Sequence, residues 1–330
     1  MRILTVEPGP NFSVADVHRG WIKALKAAGH QVANLSFAAR LEFYEKSRKV
    51  EGDELFSTEE AIRLAAKGLE TACYELWPDV VLITSGFYIP DDVLSLMSER
   101  GHTVVLLHTE SPYEDGKQSE RAKLVDLNII NDPTNIARFP ANTLYIPHAY
   151  DPDIHHPSDD PIEWDFSFVG TGYPSRIEFF ENVDWYGIDA AFAGNWQGID
   201  DTSPLAPFLL HDRSECFPNE LTSDLYRRTA VSANLYRREA HHVDLVDGWA
   251  MGPREVELAA CGAFYLTEHR GENREVLPMI PTVSTPDEMG EQIRWWLAHP
   301  DARAEVAGDA RAAVADRTFA NNVRSLTQAI

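Results

Sequence analysis

Apolar positions along this chain alternate between short continuous runs and stripes at helical spacing. Ile3-Leu4-Thr5-Val6 reads as a buried strand, followed by the loop Pro8-Gly9-Pro10-Asn11-Phe12-Ser13. A helix is predicted over residues 15–28, ended by Gly29 as its C-cap, and residues 31–37 begin the next strand. Ser57-Thr58-Glu59-Glu60 has the form of a capping box. Behind it Ile62, Ala65, Leu69, Cys73 and Leu76 make one apolar stripe at three- and four-residue spacing. Residues 79–84 and 103–108 are predicted strands with a helix near 90–100 between them, and residues 127–131 and 143–147 are shorter strands. Such alternation is the signature of a parallel α/β sheet.

The pattern restarts at Asp165-Phe166-Ser167-Phe168-Val169-Gly170, after a stretch rich in Pro and Asp over 151–161. That stretch reads as a linker. The expected organisation is therefore an α/β domain over 1–150, a linker over 151–164 and a second α/β domain over 165–317. With 330 residues, 44% of them hydrophobic and 10% aromatic, the chain has material for two packed domains.

Charge and cysteine usage narrow the function classes. A net charge of −23 disfavours broad binding to nucleic acid or to an anionic membrane, although Arg227-Arg228 and Arg237-Arg238 leave room for a local basic cleft. No apolar run approaches the eighteen or so residues that a membrane span needs. The opening residues read as a strand instead of a signal peptide, so the expectation is cytoplasmic residence. Cys73, Cys216 and Cys261 are far apart and odd in number, which fits reduced thiols, and none has zinc-like spacing. No metal and no cofactor are expected.

The most informative stretch is Gly252-Pro253-Arg254-Glu255-Val256-Glu257-Leu258-Ala259-Ala260-Cys261-Gly262. It reads as a loop entering a helix, with Pro253 at the first helical position. The amides of that first turn and the positive end of the helix dipole form an anion site, and Arg254 adds a fork of donors. Glu257 lies one turn on and has the chemistry to hold a ribose diol, with Glu255 beside it. The alternative is an ordinary surface ion pair on a helix.

A second glycine turn, Gly170-Thr171-Gly172-Tyr173-Pro174-Ser175-Arg176, follows a strand and opens a helix. Its glycines let backbone approach a phosphate that Arg176 would neutralise; the alternative is a plain strand-to-helix turn. Trp196 stands at a strand end, as a nucleobase wall or a structural ring. Asn234 and Arg237 lie late in another strand, on the edge where α/β sheets bind ligands.

His108 and Glu110 close a strand of the first domain and are the candidate acid–base residues there, His108 also reading as structural. Asn131-Asp132 and His148 end the next two strands. His241-His242 with Asp244 and Asp247 fits a solvated loop better than a metal site.

The segment from Gly252 to Gly262 resembles the donor-binding helix of GT-B glycosyltransferases, in particular the CgeB-like (spore maturation protein-like) group. The matching residues are Arg254, Glu257 and Ala260-Cys261-Gly262, then Ser284-Thr285-Pro286-Asp287-Glu288, Ile293, Leu297 and Pro300, then Thr318-Phe319. Val169-Gly170 with Arg176, Gly194 with Trp196, and Asn234 with Arg237 are similar to further motifs of that group. The resemblance spans residues 165–330 and reaches the first half only in layout. At one place the chain departs: many retaining relatives carry a Glu eight residues before the Glu257 position, and here Trp249 stands there.

The resemblance implies two Rossmann-like α/β domains facing each other across a cleft, with a terminal helix over 318–330 packing back on the first. It implies transfer of a sugar from a nucleotide-diphosphate donor, the co-substrate, to a hydroxyl of a protein, a glycan or a modified DNA base. Retention of configuration without metal is expected. Arg176 and Arg254 would neutralise the departing diphosphate. Gly170, Thr171, Gly172, Trp196, Asn234, Arg237, Pro253, Glu255 and Glu257 would line the donor, and Pro10, Asn11, Ser13 and His148 would face the acceptor. A sugar-nucleotide epimerase of the same fold and a non-catalytic nucleotide-binding module are the rivals. The sequence leaves donor base, sugar and oligomeric state open.

Overall fold

The structure is a computed structural model that describes residues 1–9, 14–50, 53–240, 243–244 and 248–330. The chain forms two compact units, Met1–Pro147 with Phe319–Ile330, and His148–Thr318.

In the first unit the chain runs β1 (Arg2–Val6), α1 (Ala15–Ala27), β2 (Gln31–Leu35), α2 (Phe37–Ser47), the short antiparallel pair β3 (Lys49–Val50) and β4 (Asp53–Glu54), and α3 (Thr58–Leu76). It continues through β5 (Val80–Thr84), α4 (Asp91–Glu99), β6 (Thr103–His108), α5 (Asp115–Arg121), β7 (Leu127–Ile130) and β8 (Thr143–Tyr145). Six strands make one parallel sheet in the order β2-β1-β5-β6-β7-β8. The chain steps outward from β1 to β2, then returns to lay β5 on the other flank of β1. The order thus reverses between β1 and β5, and in open α/β sheets ligands bind outside the strand ends at such a point.

Local sequence explains most boundaries. Ser57 Oγ accepts the Glu60 N–H at 3.2 Å and Glu60 Oε2 accepts the Ser57 N–H at 2.8 Å, the capping box expected at the start of α3. The strand expected over 31–37 ends instead at Leu35. Ser36 Oγ takes the Ala39 N–H at 3.3 Å and caps α2, whose Phe37 and Leu41 enter the core.

The second unit carries β9 (Trp164–Val169), α6 (Pro174–Glu181), β10 (Ala190–Ala193), α7 (Asn219–Arg227), β11 (Thr229–Asn234), the short pair β12 (Glu239–Ala240) and β13 (Val243–Asp244), and α8 (Pro253–Ala260). Then follow β14 (Tyr265–Thr267), α9 (Gly271–Val276), α10 (Pro286–Ala298) and α11 (Pro300–Ala313). Its parallel sheet has the order β10-β9-β11-β14, so the reversal lies between β9 and β11. Phe166, Phe168, Phe180, Phe192 and Trp196 fill its core with interlocking rings.

The last helix, α12 (Phe319–Ala329), belongs to the first unit. It docks on α1, where a Cβ added to Gly20 would lie 2.2 Å from Phe319 Cε2, so only glycine lets the ring come this close. No helix among the described residues is long and apolar enough to cross a membrane.

Candidate functional site

The C-terminal ends of β9 and β11 are the place to look in the second unit. Gly170 follows β9, Asn234 ends β11, and Arg254 reaches over both from the first turn of α8. Its Nη1 donates to Asn234 Oδ1 at 3.0 Å, and its Cζ lies 5.1 Å from the centroid of the Phe168 ring. A Cβ on Gly170 would sit 2.5 Å from Arg254 Nη2. The guanidinium is therefore held in a slot that glycine leaves open. Gly194, at the end of β10, is tighter still: its φ is +105° and a Cβ would lie 2.5 Å from the Gly170 carbonyl oxygen. The Gly-x-Gly turn is shaped by what packs against it, since Gly172 is pressed on the Trp196 ring in the same way, at 2.5 Å.

Arg176 lies beside this point with its guanidinium turned inward. Nη1 donates to Thr171 O at 3.0 Å and Nη2 to Leu235 O at 2.6 Å, so one side chain ties the loop after β9 to the loop after β11. The side chain is buried. Its predicted role as a diphosphate ligand is corrected: these donors are engaged with backbone, and the residue shapes the site from below. Tyr173 has the Arg176 and Arg237 guanidiniums 5.2 and 5.0 Å from its centroid. Three arginines thus gather at one strand edge of a strongly acidic chain. Thr171, Arg237 and Pro253 are half-buried around it.

Two further expectations fail on burial. Glu255 is 0% exposed. Its Oε2 accepts from the Tyr236 hydroxyl and from the Gly252 N–H at 3.2 Å, and its Oε1 accepts from Thr267 Oγ1 at 3.0 Å and Asn273 Nδ2 at 3.3 Å. It caps α8 and ties it to β14 and α9, so it does not face a ligand. Burial pushes its pKa up. Trp196, also 0% exposed, donates Nε1 to Ala193 O at 3.1 Å and packs edge-on against Phe192; it is a core ring, not a nucleobase wall.

Glu257 stands three residues past Arg254 on α8 and is half-buried. Its mostly buried carboxylate lies 3.9 Å from His155 Nε2, which in turn approaches Asn219 Oδ1 at 3.3 Å. The sequence does not mark His155 or Asn219 as neighbours of Glu257, the first because it sits in the stretch read as linker. That stretch is bound into the second unit: Arg227 Nη1 donates to Ile154 O at 3.2 Å. Arg227 and Arg228 pair with Asp224, and Arg228 also with Glu163, so the first arginine pair of the sequence is structural.

Trp249, where the resembling group has Glu, is half-buried and lies on Gly271, whose added Cβ would be 2.1 Å from its Cδ1. Its carbonyl accepts the Glu272 N–H at 2.7 Å, which anchors α9 next to α8.

In the first unit, His108 is 0% exposed, with Nε2 2.9 Å from Asn128 Oδ1 and its ring edge-on to Phe139. Burial lowers its pKa to about 4. It is a neutral core histidine and not an acid–base residue. Glu110 is half-buried, its backbone N–H donating to Gln118 Oε1 at 3.2 Å. His148 is half-buried at the first residue of the second unit. Pro10, Asn11 and Ser13, and also His241, His242 and Asp247, lie outside the described residues. Among the described residues no three His, Cys, Asp or Glu side chains gather to hold a metal ion.

A family model described as glycosyl transferase-like matches residues 165–328. Solved structures similar to the whole chain carry the same fold. Sucrose-phosphate synthase from Thermosynechococcus elongatus is 13% identical, with 99% of this chain and 98% of that one covered at a TM-score of 0.67. Anabaena HepE in complex with UDP and glucose is 14% identical, with both chains covered in full at 0.67. An E. coli trehalose-6-phosphate structure bound with UDP-2-fluoro glucose is 12% identical, covering 99% and 98% at 0.64. The fold is that of GT-B glycosyltransferases. No curated protein sequence matches the chain. Within the matched segment, Gly170, Asn234 and Arg254 meet at the carboxyl edge of the sheet, beside the reversal of strand order.

Proposed function

We propose that the chain transfers a sugar from a nucleotide-diphosphate donor to an acceptor hydroxyl. The observation that carries this reading is Arg254, fixed over the reversal between β9 and β11 by Asn234 and Gly170 at the amino end of α8. In the reaction the bond from the anomeric carbon to the diphosphate oxygen breaks and a bond to the acceptor oxygen forms. The departing diphosphate gains negative charge, which Arg254 and the first-turn amides of α8 stabilise in place of a metal. Glu257 accepts hydroxyls of the ribose.

The fit of the 252–262 motif to the CgeB-like group supports a retaining course, with a donor phosphate oxygen taking the acceptor proton. UDP is the first nucleotide to try, because HepE is solved with UDP and with UDP-glucose. Three cysteines without disulfide partners fit a reducing, cytoplasmic setting.

The test is calorimetric titration of the purified protein with UDP, GDP, dTDP, ADP and CMP, followed by the Arg254→Ala variant. One nucleoside diphosphate binding to the wild type and failing on the variant is the expected outcome. Equal binding to both proteins refutes the site. Trp249 in the Glu position favours one other reading, a module that binds the nucleotide without transfer. A donor sugar that is neither transferred nor hydrolysed, over a site that binds its nucleotide, would establish that reading.

A further inference from the structure

The first unit carries a cavity of about 390 Å³ at the carboxyl end of β5, between the first turns of α3 and α4. Two aromatic residues, Phe87 and Tyr88, and four charged ones, Glu59, Arg63, Asp91 and Asp92, line it. The glycosyl-transfer reading above assigns none of them a role.

The loop that presents the rings is built at some cost. Ser85 and Gly86 are consecutive left-handed residues, with φ of 60° and 67°. Arg121 holds the loop from beneath with a side chain only 7% exposed. It donates Nη1 to Gly86 O at 2.6 Å, Nη2 to Ile89 O at 2.5 Å and Nε to Asp91 Oδ1 at 3.0 Å. The Tyr88 ring lies on the backbone of Gly9, where a Cβ would come within 2.5 Å of it. Phe87 and Tyr88 are thus half-buried rings on a fixed support, not loop residues free to collapse into the core.

The charges in the lining choose the ligand. Three carboxylates stand in the lining: Arg63 faces Asp92 at 3.2 Å and Glu59 at 3.7 Å, and Arg121 holds Asp91 from beneath at 3.0 Å. A phosphate dianion would meet three carboxylates in the lining, and the neighbouring cation, Lys117, is set over the Phe87 ring with its Nζ 4.8 Å from the centroid. A sugar hydroxyl is a donor that a carboxylate accepts well, and the C–H face of a pyranose packs on an aromatic ring. Rings with carboxylates beside them therefore suit an uncharged sugar and repel a phosphorylated one.

We propose that this cavity binds a neutral sugar ring, and that the acceptor is an unphosphorylated glycan. The second half of this statement rests on the glycosyl-transfer reading; the first does not. The test is saturation-transfer NMR on the full chain with glucose, maltotriose, glucose 6-phosphate, a serine-containing peptide and a duplex carrying 5-hydroxymethylcytosine. Neutral sugars are expected to bind, with glucose 6-phosphate at least tenfold weaker. Tyr88→Ala and Asp92→Asn should each abolish that binding and leave the UDP titration unchanged; Asp92, with 67% of its side chain exposed, can be changed without disturbing the fold.

Silence from every neutral sugar, tighter binding of the phosphosugar, peptide or duplex, or sugar binding untouched by both variants overturns the proposal. The two readings fail separately. Loss of UDP binding with sugar binding intact would sink the donor site alone, and the reverse would sink this cavity alone.

Discussion

Gly170→Ala tests the second-unit site at the point where its geometry is tightest. The new Cβ would lie 2.5 Å from Arg254 Nη2, 3.2 Å from Arg254 Cζ and 3.2 Å from Phe168 Cε1. An ordinary carbon–nitrogen contact needs about 3.5 Å, so the guanidinium has to recede by about 1 Å. That shift stretches its 3.0 Å bond to Asn234 beyond hydrogen-bonding range and moves the cation away from the place proposed for the diphosphate. A misplacement of about 1 Å at a charge-stabilising group costs ~10²-fold in rate, or ~2.7 kcal/mol of barrier. The cost to folding combines that clash, which the half-buried end of a flexible side chain can relieve, with the strain of alanine at φ +157°, about 1–3 kcal/mol.

The assay is release of UDP from UDP-glucose by wild type, Gly170→Ala, Arg254→Ala and the double variant, beside thermal unfolding of each. If the methyl acts through Arg254, the double variant is no slower than Arg254→Ala alone. Wild-type turnover in Gly170→Ala, or a further ~10²-fold loss on top of Arg254→Ala, would refute the reasoning.

Three other outcomes follow from the same geometry. Glu257→Ala should weaken UDP binding by about tenfold, the worth of one charge-assisted hydrogen bond, while 2′,3′-dideoxy-UDP binds both proteins alike; a loss equal for the two nucleotides would show that Glu257 does not read the ribose. Glu255→Ala leaves the Tyr236 hydroxyl, Thr267 hydroxyl and Asn273 amide without their shared acceptor in a wholly buried place, so chemical denaturation should report a loss of about 3 kcal/mol or more, and an unchanged midpoint would contradict the network. His108 has its pKa lowered from 6.5 to about 4 by burial, so between those values the unfolded chain binds a proton that the folded one refuses. Stability contributed there is full above 6.5 and falls as pH drops toward 4, by up to ~3 kcal/mol at ~1.4 per unit; a His108→Asn variant should lack that component, and parallel pH curves for the two proteins would count against it.

Elements whose signal is local were legible in the sequence. The run over 103–108 is β6 residue for residue, because a strand covered on both faces shows as a continuous apolar run, here Val104 to Leu107. The capping box at Ser57 is likewise a short-range hydrogen-bond pattern. The 31–37 strand overran because Phe37 is as apolar as the strand before it. The corrective signal was Ser36, a good N-cap followed by Phe37, Leu41 and Tyr44 at helical spacing.

At the site, the strand-end positions of Gly170 and Asn234 and the helix start at Arg254 could be read, but not the direction of each side chain. Residue type states what chemistry a group can do; burial, a tertiary property, decides whether it meets a ligand. Glu255 lies three residues past the N-cap Gly252, the capping-box spacing, and that was the available hint of a structural role. Nothing in the sequence around Arg176 distinguishes a guanidinium facing a phosphate from one facing two carbonyls.

That inward-facing arginine is not an isolated device. Arg176 bonds Thr171 O and Leu235 O at the carboxyl edge of the second sheet, and Arg121 bonds Gly86 O and Ile89 O at the same edge of the first. A loop that leaves a parallel strand and turns sharply has carbonyls pointing under the turn, and these need donors once water is shut out. Lysine offers a compact cluster of donors from one point, whereas a planar guanidinium spans two carbonyls several ångströms apart and keeps its charge when buried. Each sheet thus spends one arginine on holding its loop rigid. In the first the loop carries Phe87 and Tyr88; in the second it carries the Gly-x-Gly turn that receives Arg254. Rigid support before binding is what lets a few polar contacts discriminate between ligands, because ordering the loop then costs little at the moment of association. Lysine at either position should therefore loosen the ligand contacts above it before it loosens the fold, weakening nucleotide binding at Arg176 and sugar binding at Arg121.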